Sequence, residues 1–136
     1  MRPRKPLGVT ALVVFFIFGC MMSGLAAVML IYPGSVLEPF WRLNPLAREG
    51  LHAIGVWAVA LMLLVCFACA AAALGLKRRK LWGFWIAVAI LSINLIGDFV
   101  NAVFAHNWRT LIGLPIGIII LAYLFANQRI FHSRQA

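Results

Sequence analysis

Apolar residues run in four long stretches that short polar or basic segments separate. The stretches cover residues 7–32, 51–76, 81–105 and 110–126. The first three exceed the roughly 20 residues that a helix needs to cross the hydrocarbon core of a bilayer, and the fourth is the shortest. The pattern predicts an all-α integral membrane protein, a bundle of four transmembrane helices that forms one membrane domain over residues 1–136.

Composition supports the same class of protein. Hydrophobic residues make up 65% of the chain, charged residues make up 11%, and the mean hydropathy is +1.01. A soluble globule of this size needs more polar surface than that. The twelve Lys and Arg residues occur in short clusters beside the apolar stretches and form no continuous basic face. We therefore expect the lipid bilayer, and not nucleic acid, as the surrounding partner.

The distribution of basic residues predicts the orientation. Nine of them fall on one side of the predicted bundle: Arg2, Arg4, Lys5, Lys77, Arg78, Arg79, Lys80, Arg129 and Arg134. Three fall on the other side: Arg42, Arg48 and Arg109. Cytoplasmic loops carry the excess of Lys and Arg, so Met1 and Ala136 are both expected in the cytoplasm. The expected location is the inner (plasma) membrane, which the chain crosses several times.

The linker over residues 33–50 is the one sizeable segment predicted to lie outside. Ser35 and Glu38 have the spacing of a capping box, which predicts a short helix over residues 35–43. Phe40 and Trp41 place this helix on the outer membrane interface.

A second helix start follows directly. Asn44 suits an N-cap and Pro45 suits the first helical position. We expect the second helix to begin there and to continue into the apolar stretch that starts at Leu51.

One polar stripe interrupts the apolar pattern. Asp98 is the single acidic residue inside the four stretches, and Asn94 and Asn101 lie one helical turn to either side. Their i, i+4, i+7 spacing places all three within an arc of about 60° on one helix face. An ionisable side chain at membrane depth is costly and marks a functional site by default. All three side chains are expected to point into the bundle, away from lipid.

Two functions fit this stripe. In the first, the protein is a small transporter or channel-like protein whose Asp98 site accepts a proton, a cation or a small polar solute. In the second, it is a non-catalytic accessory or scaffold subunit whose stripe hydrogen-bonds to a partner helix. The partner would be a second copy of the chain or a larger membrane complex. No cofactor motif and no catalytic grouping occurs in the sequence, so we do not expect an enzyme, and a membrane thiol or haem redox role is the weakest alternative.

The cysteines and histidines offer weaker sites. Cys66 and Cys69 form a C-x-x-C within the second stretch and Cys20 lies in the first, all among apolar neighbours that favour packing over a membrane thiol redox role. His52 and His106 are predicted at the outer membrane boundary as a possible secondary site. A third metal ligand is lacking, so no metal site is predicted.

Small residues recur at helical spacing and predict close helix packing. They are Gly19, Ser23, Gly24, Gly97, Gly113 and Gly117, with Pro115 interrupting the fourth stretch. We expect a neighbouring group to take up the carbonyl that Pro115 leaves without a donor.

Overall fold

The computed structural model describes residues 6–104, 106 and 108–132, except for the side chain of Thr110. Several predictions lie outside these residues. They concern both chain termini, the basic residues Arg2, Arg4, Lys5 and Arg134, and the end of the third apolar stretch at Ala105.

The described residues form six α-helices and two 3₁₀ helices. The α-helices are α1 (Leu7–Ile31), α2 (Pro45–Ile54), α3 (Val56–Lys77), α4 (Leu81–Phe104), α5 (Gly113–Ala126) and α6 (Arg129–His132). The 3₁₀ helices are Glu38–Leu43 and Trp108–Ile112. Helices α1, α3 and α4 contain 25, 22 and 24 residues and are long and apolar enough to cross a membrane. The all-helical class is therefore confirmed, and these three helices fit a helical membrane protein.

The fourth predicted span is shorter than expected. Helix α5 has 14 residues and is about 21 Å long at 1.5 Å per residue, against about 30 Å of bilayer core. A fourth span remains a prediction. Pro115 is the third residue of α5 and lies in its first turn, where an N–H group has no α-helical partner in any case. Pro115 therefore removes no hydrogen bond from within α5, and the predicted partner for its freed carbonyl stays a prediction.

The predicted second helix is broken into two. Gly55 separates α2 from α3 with φ 70° and ψ −137°. This backbone conformation is open to glycine and strained for other residues. Its N–H group bonds to the carbonyls of Leu51 and His52 and ends α2. The apolar span therefore begins at Val56 and not at Leu51.

The linker is helical, but its predicted cap is wrong. The 3₁₀ helix Glu38–Leu43 has no side-chain cap, because the Glu38 N–H group already bonds to the backbone carbonyl of Ser35 at 3.0 Å. The predicted cap of α2 is confirmed: Asn44 Oδ1 accepts a hydrogen bond from the Ala47 N–H group at 3.1 Å.

The chain divides into two compact units, which we call the central unit (Phe15–Ala70) and the terminal unit (Met1–Val14 with Ala71–Ala136). In the terminal unit, Phe84 of α4 is fully buried. Its ring meets that of Phe125 edge to face at 5.7 Å between centroids and that of Phe131 at 5.5 Å. These aromatic contacts join α4 to α5 and α6.

The end of α3 and the start of α4 also belong to the terminal unit, where two glycines bring their backbones together. A Cβ atom on Gly75 would overlap the backbone of Gly83. Helix α3 ends just beyond this contact, where Arg79 adopts φ 53° and the Lys80 N–H group bonds to the Gly75 carbonyl at 2.9 Å. The Arg79 N–H group bonds to the Leu76 carbonyl at 3.0 Å, which completes a Schellman motif.

Gly55→Ala tests the break between α2 and α3. It should lower the free energy of unfolding by about 1–3 kcal/mol, because an L-residue is strained at this φ and ψ. Gly50→Ala is the matched control, since Gly50 lies inside α2 and a Cβ on either glycine would enter open space. The control should be neutral or stabilising by up to about 1 kcal/mol. Thermal unfolding of the detergent-solubilised protein measures both, and equal stability of Gly55→Ala and wild type would show that the break is absent.

Candidate functional site

Helix α4 packs one face against the rest of the terminal unit, and Asp98 belongs to that face. The face consists of residues spaced three or four apart, as an α-helical stripe requires. Its buried and half-buried members are Phe84, Ala87, Leu91, Leu95, Asp98 and Ala102. Asp98 therefore continues an apolar packing stripe, in which it is the single charged group.

The Asp98 carboxyl lies directly against the first residue of α5. A Cβ atom on Gly113 would be 2.7 Å from Asp98 Oδ2, closer than real Cβ contacts allow. The absence of a side chain at Gly113 thus makes room for the carboxyl group. One turn further along, a Cβ on Gly117 would be 2.8 Å from Cδ2 of Leu95. The two predicted packing glycines of α5 receive successive side chains from the packed face of α4.

The two asparagines lie outside this contact. Asn94 and Asn101 are exposed, whereas Asp98 is half-buried. At 3.6 residues per turn they lie about 40° and 60° from Asp98 on the same side of α4. Gly97 lies on this side too, and a Cβ there would meet nothing within 4 Å. We call Asn94, Gly97 and Asn101 the amide face of α4.

The polar stripe is therefore divided between two environments. Asp98 packs against α5, and the side chains of Asn94 and Asn101 are exposed on the surface of α4. Among the described residues, the carboxyl of Asp98 and the amides of Asn94 and Asn101 have no hydrogen bond or ion pair. The expectation that all three side chains point away from lipid stays a prediction, because the two amides are covered only if a partner packs on the amide face.

In the central unit, α1 and α3 bring two thiols together. The Sγ atoms of Cys20 and Cys66 are 3.3 Å apart, close enough for one thiol to donate a hydrogen bond to the other. Cys66 also lies against Gly24, and Cys69 lies against Gly19, with Sγ at 3.5 and 3.4 Å from the Cβ position of each glycine. The small residues of α1 therefore receive the cysteines of α3.

Sequence reasoning grouped Cys66 with Cys69 and missed the Cys20 pair. The two paired cysteines are 46 positions apart, and nothing local links them. The available signal was the small-residue spacing of α1, which marked the face that a neighbouring helix approaches. Ser23 on α1 is buried, and its hydroxyl donates to the Gly19 carbonyl at 2.7 Å. This bond within α1 satisfies the hydroxyl.

The two histidines show no metal-binding arrangement. His52 is exposed on α2, and His106 is exposed with φ 48°. Within the part of the chain that the structure describes, no three His, Cys, Asp or Glu side chains are grouped to hold a metal ion.

Comparison of the chain with protein-family models, with curated proteins and with solved structures finds no match.

Oxidation tests the Cys20 and Cys66 contact. A membrane-permeant diazene oxidant should join these two thiols in a disulfide, because their sulfur atoms need to approach by only about 1.3 Å. Mass spectrometry after alkylation should show two fewer reactive thiols and a peptide linking α1 to α3. The Cys69→Ala variant should form the same link, whereas Cys20→Ala and Cys66→Ala should not. A link between Cys66 and Cys69 instead would contradict the observed pairing.

Proposed function

We propose that this chain is a non-catalytic subunit of a membrane assembly and that it binds a second transmembrane helix through the amide face of α4. The observation that carries the proposal is the exposure of Asn94 and Asn101 on an apolar helix. Each primary amide offers two donors and an acceptor. The bilayer core holds no water to satisfy them, so a neighbouring helix is the favourable partner.

The open surface of α4 supports the same proposal. In its most apolar window 11% of residues are buried, against 22% for α1 and 28% for α3. Gly97 lies between the two asparagines and lets a partner backbone approach closely, which strengthens hydrogen bonds between helices.

A second copy of the same chain is the partner that this face fits best. An asparagine amide is both donor and acceptor, so the amide face is complementary to itself. A two-fold symmetric interface uses one patch on both subunits and needs this property. The assembly proposed here is a homo-oligomer in the inner membrane.

The proposed arrangement in the membrane has four spans, with α5 and its preceding 3₁₀ helix forming the fourth. Both termini are in the cytoplasm and the linker between α1 and α3 lies outside, on the outer interface. The cluster Lys77–Lys80 supports this orientation, because it supplies four basic residues to a single short loop.

The double variant Asn94→Leu/Asn101→Leu tests the amide face. It should weaken self-association about 10-fold or more, because hydrogen bonds between transmembrane helices contribute about 0.6–2 kcal/mol each. Förster transfer between labelled copies in liposomes, measured over a range of protein-to-lipid ratios, gives the association constant.

The matched control is Ile96→Leu/Val103→Leu, on the opposite side of α4. Both control residues are exposed, at 64% and 51%. The control should associate like wild type. A monomeric wild type, or equal weakening in the two double variants, would overturn the proposal.

Transport is the second candidate function, and the half-buried carboxyl of Asp98 favours it. A carboxyl group on the packed face of an apolar helix, without an ion pair among the described residues, can take up and release a proton or cation. Its centre would comprise Asp98 with Asn94 and Asn101.

Asp98→Asn tests the transport role, because it keeps the size of the side chain and removes the charge. If Asp98 carries ions, wild-type proteoliposomes should conduct protons or K⁺, and Asp98→Asn should lose most of that flux. Glu38→Gln is the matched control, since it removes a carboxylate from the linker, and it should leave the flux unchanged. No flux above empty liposomes, or full flux in Asp98→Asn, would rule out this role for Asp98.

A further inference from the structure

The central unit carries two clefts, one on the linker and the other at the break between α2 and α3. The first, which we call the polar cleft because three charged side chains line it, has a volume of about 500 Å³, and its lining includes Glu38, Arg42 and Arg48. The other has a volume of about 620 Å³ and a mainly apolar lining that includes Leu51 and Leu63.

The two clefts follow one face of α2. Pro45 and Arg48 line the polar cleft, and Leu51 and His52 line the apolar cleft. Their spacing of three or four residues puts them on one side of the helix, on successive turns about 5 Å apart. A single elongated ligand can therefore extend from one cleft into the other.

The polar cleft has an excess of positive charge. Arg48 Nη2 is 2.9 Å from Glu38 Oε1, in an ion pair between exposed side chains. This pair connects α2 to the 3₁₀ helix before it. Arg42 also lines the cleft, and it has no ion pair among the described residues. Its planar guanidinium matches the oxygen geometry of a phosphate group, which it can bind through two parallel hydrogen bonds.

The apolar cleft suits an aliphatic chain. It lies at the break between α2 and α3, where Gly55 redirects the backbone and Val56 begins the spanning helix. Leu30 and Ile31 from the end of α1 complete one side. The clefts therefore lie where two membrane-spanning helices meet the linker, at the depth where lipid headgroups join acyl chains.

We propose that these clefts bind one anionic phospholipid, with its phosphate on Arg42 and an acyl chain along Leu51 and Leu63. The net positive charge of the polar cleft selects an anionic headgroup over a zwitterionic one. The apolar cleft distinguishes a lipid from a free phosphate ion. The site shares no residue with the amide face of α4 and does not depend on the proposed assembly.

Binding of short-chain lipids to the full chain in a non-ionic detergent tests the site. Dihexanoyl phosphatidylglycerol should bind and raise the unfolding temperature, and dihexanoyl phosphatidylcholine should bind at least several-fold more weakly. Arg42→Gln should weaken binding of the phosphatidylglycerol about 10-fold, because it removes charge-assisted hydrogen bonds. Arg42→Lys should recover part of the affinity, since it restores charge without the planar fork.

Arg78→Gln is the control for loss of one positive charge, because Arg78 is exposed and lies in the loop between α3 and α4. It should bind like wild type. Leu51→Gln should weaken binding of the lipid and leave binding of glycerol phosphate unchanged, which provides a second variant if Arg42→Gln fails to fold.

Three results would overturn the proposal. One is equal binding of the two lipids, and another is unchanged binding in folded Arg42→Gln. The third is inorganic phosphate binding as tightly as phosphatidylglycerol, since that would make the polar cleft an anion site without a lipid.

Discussion

The need to satisfy polar groups where water is absent controls most of this structure. Helices α1, α3 and α4 satisfy their backbone groups internally, and their exposed apolar side chains suit lipid. The few polar side chains within them must then find partners in protein. Ser23 does so within its own helix. Asn94 and Asn101 have no partner among the described residues, and for this reason they dominate the functional argument.

Helix packing in this chain depends on glycines that allow close approach as well as on large buried side chains such as Phe84. Gly75 and Gly83 let two backbones touch, and Gly113 makes room for the carboxyl of Asp98. In lipid there is little hydrophobic force between helices, so association depends on close approach and hydrogen bonds. Gly97 would allow the same close approach, but a Cβ atom there would meet no atom within 4 Å. The amide face therefore has the composition of a packed surface without its neighbour.

The helical class, three of the four predicted spans and the Asn44 cap could be predicted from the sequence, because length, hydropathy and capping depend on residues near one another. The break at Gly55 could not, since a glycine near the start of an apolar stretch is compatible with a continuous helix and only the backbone angles show otherwise. The Cys20 and Cys66 pair was also missed, because contacts between helices depend on their relative rotation. The rotation of α4 also decides which of its polar side chains a neighbouring helix covers. Asp98, Asn94 and Asn101 span about 60° of the helix circumference, so Asp98 can pack against α5 while the two amides lie outside that contact. For this reason the sequence predicted one environment for all three side chains.

Asp98 lies at the edge of the contact with α5, and the two amides lie just outside that contact. The proposed assembly and the proposed transport role would therefore involve the same region of α4. Asp98 packs against Gly113, and the amides lie on the adjoining exposed side, so a helix that covers the amide face would also enclose the region next to the carboxyl. Such a partner would remove Asp98 further from lipid and bring its own amides near it. A polar centre of the kind that transport requires would then form between subunits, and assembly would precede any transport. Self-association is for this reason the first property to measure, since a monomer would leave the amides in lipid and the carboxyl without a polar surrounding.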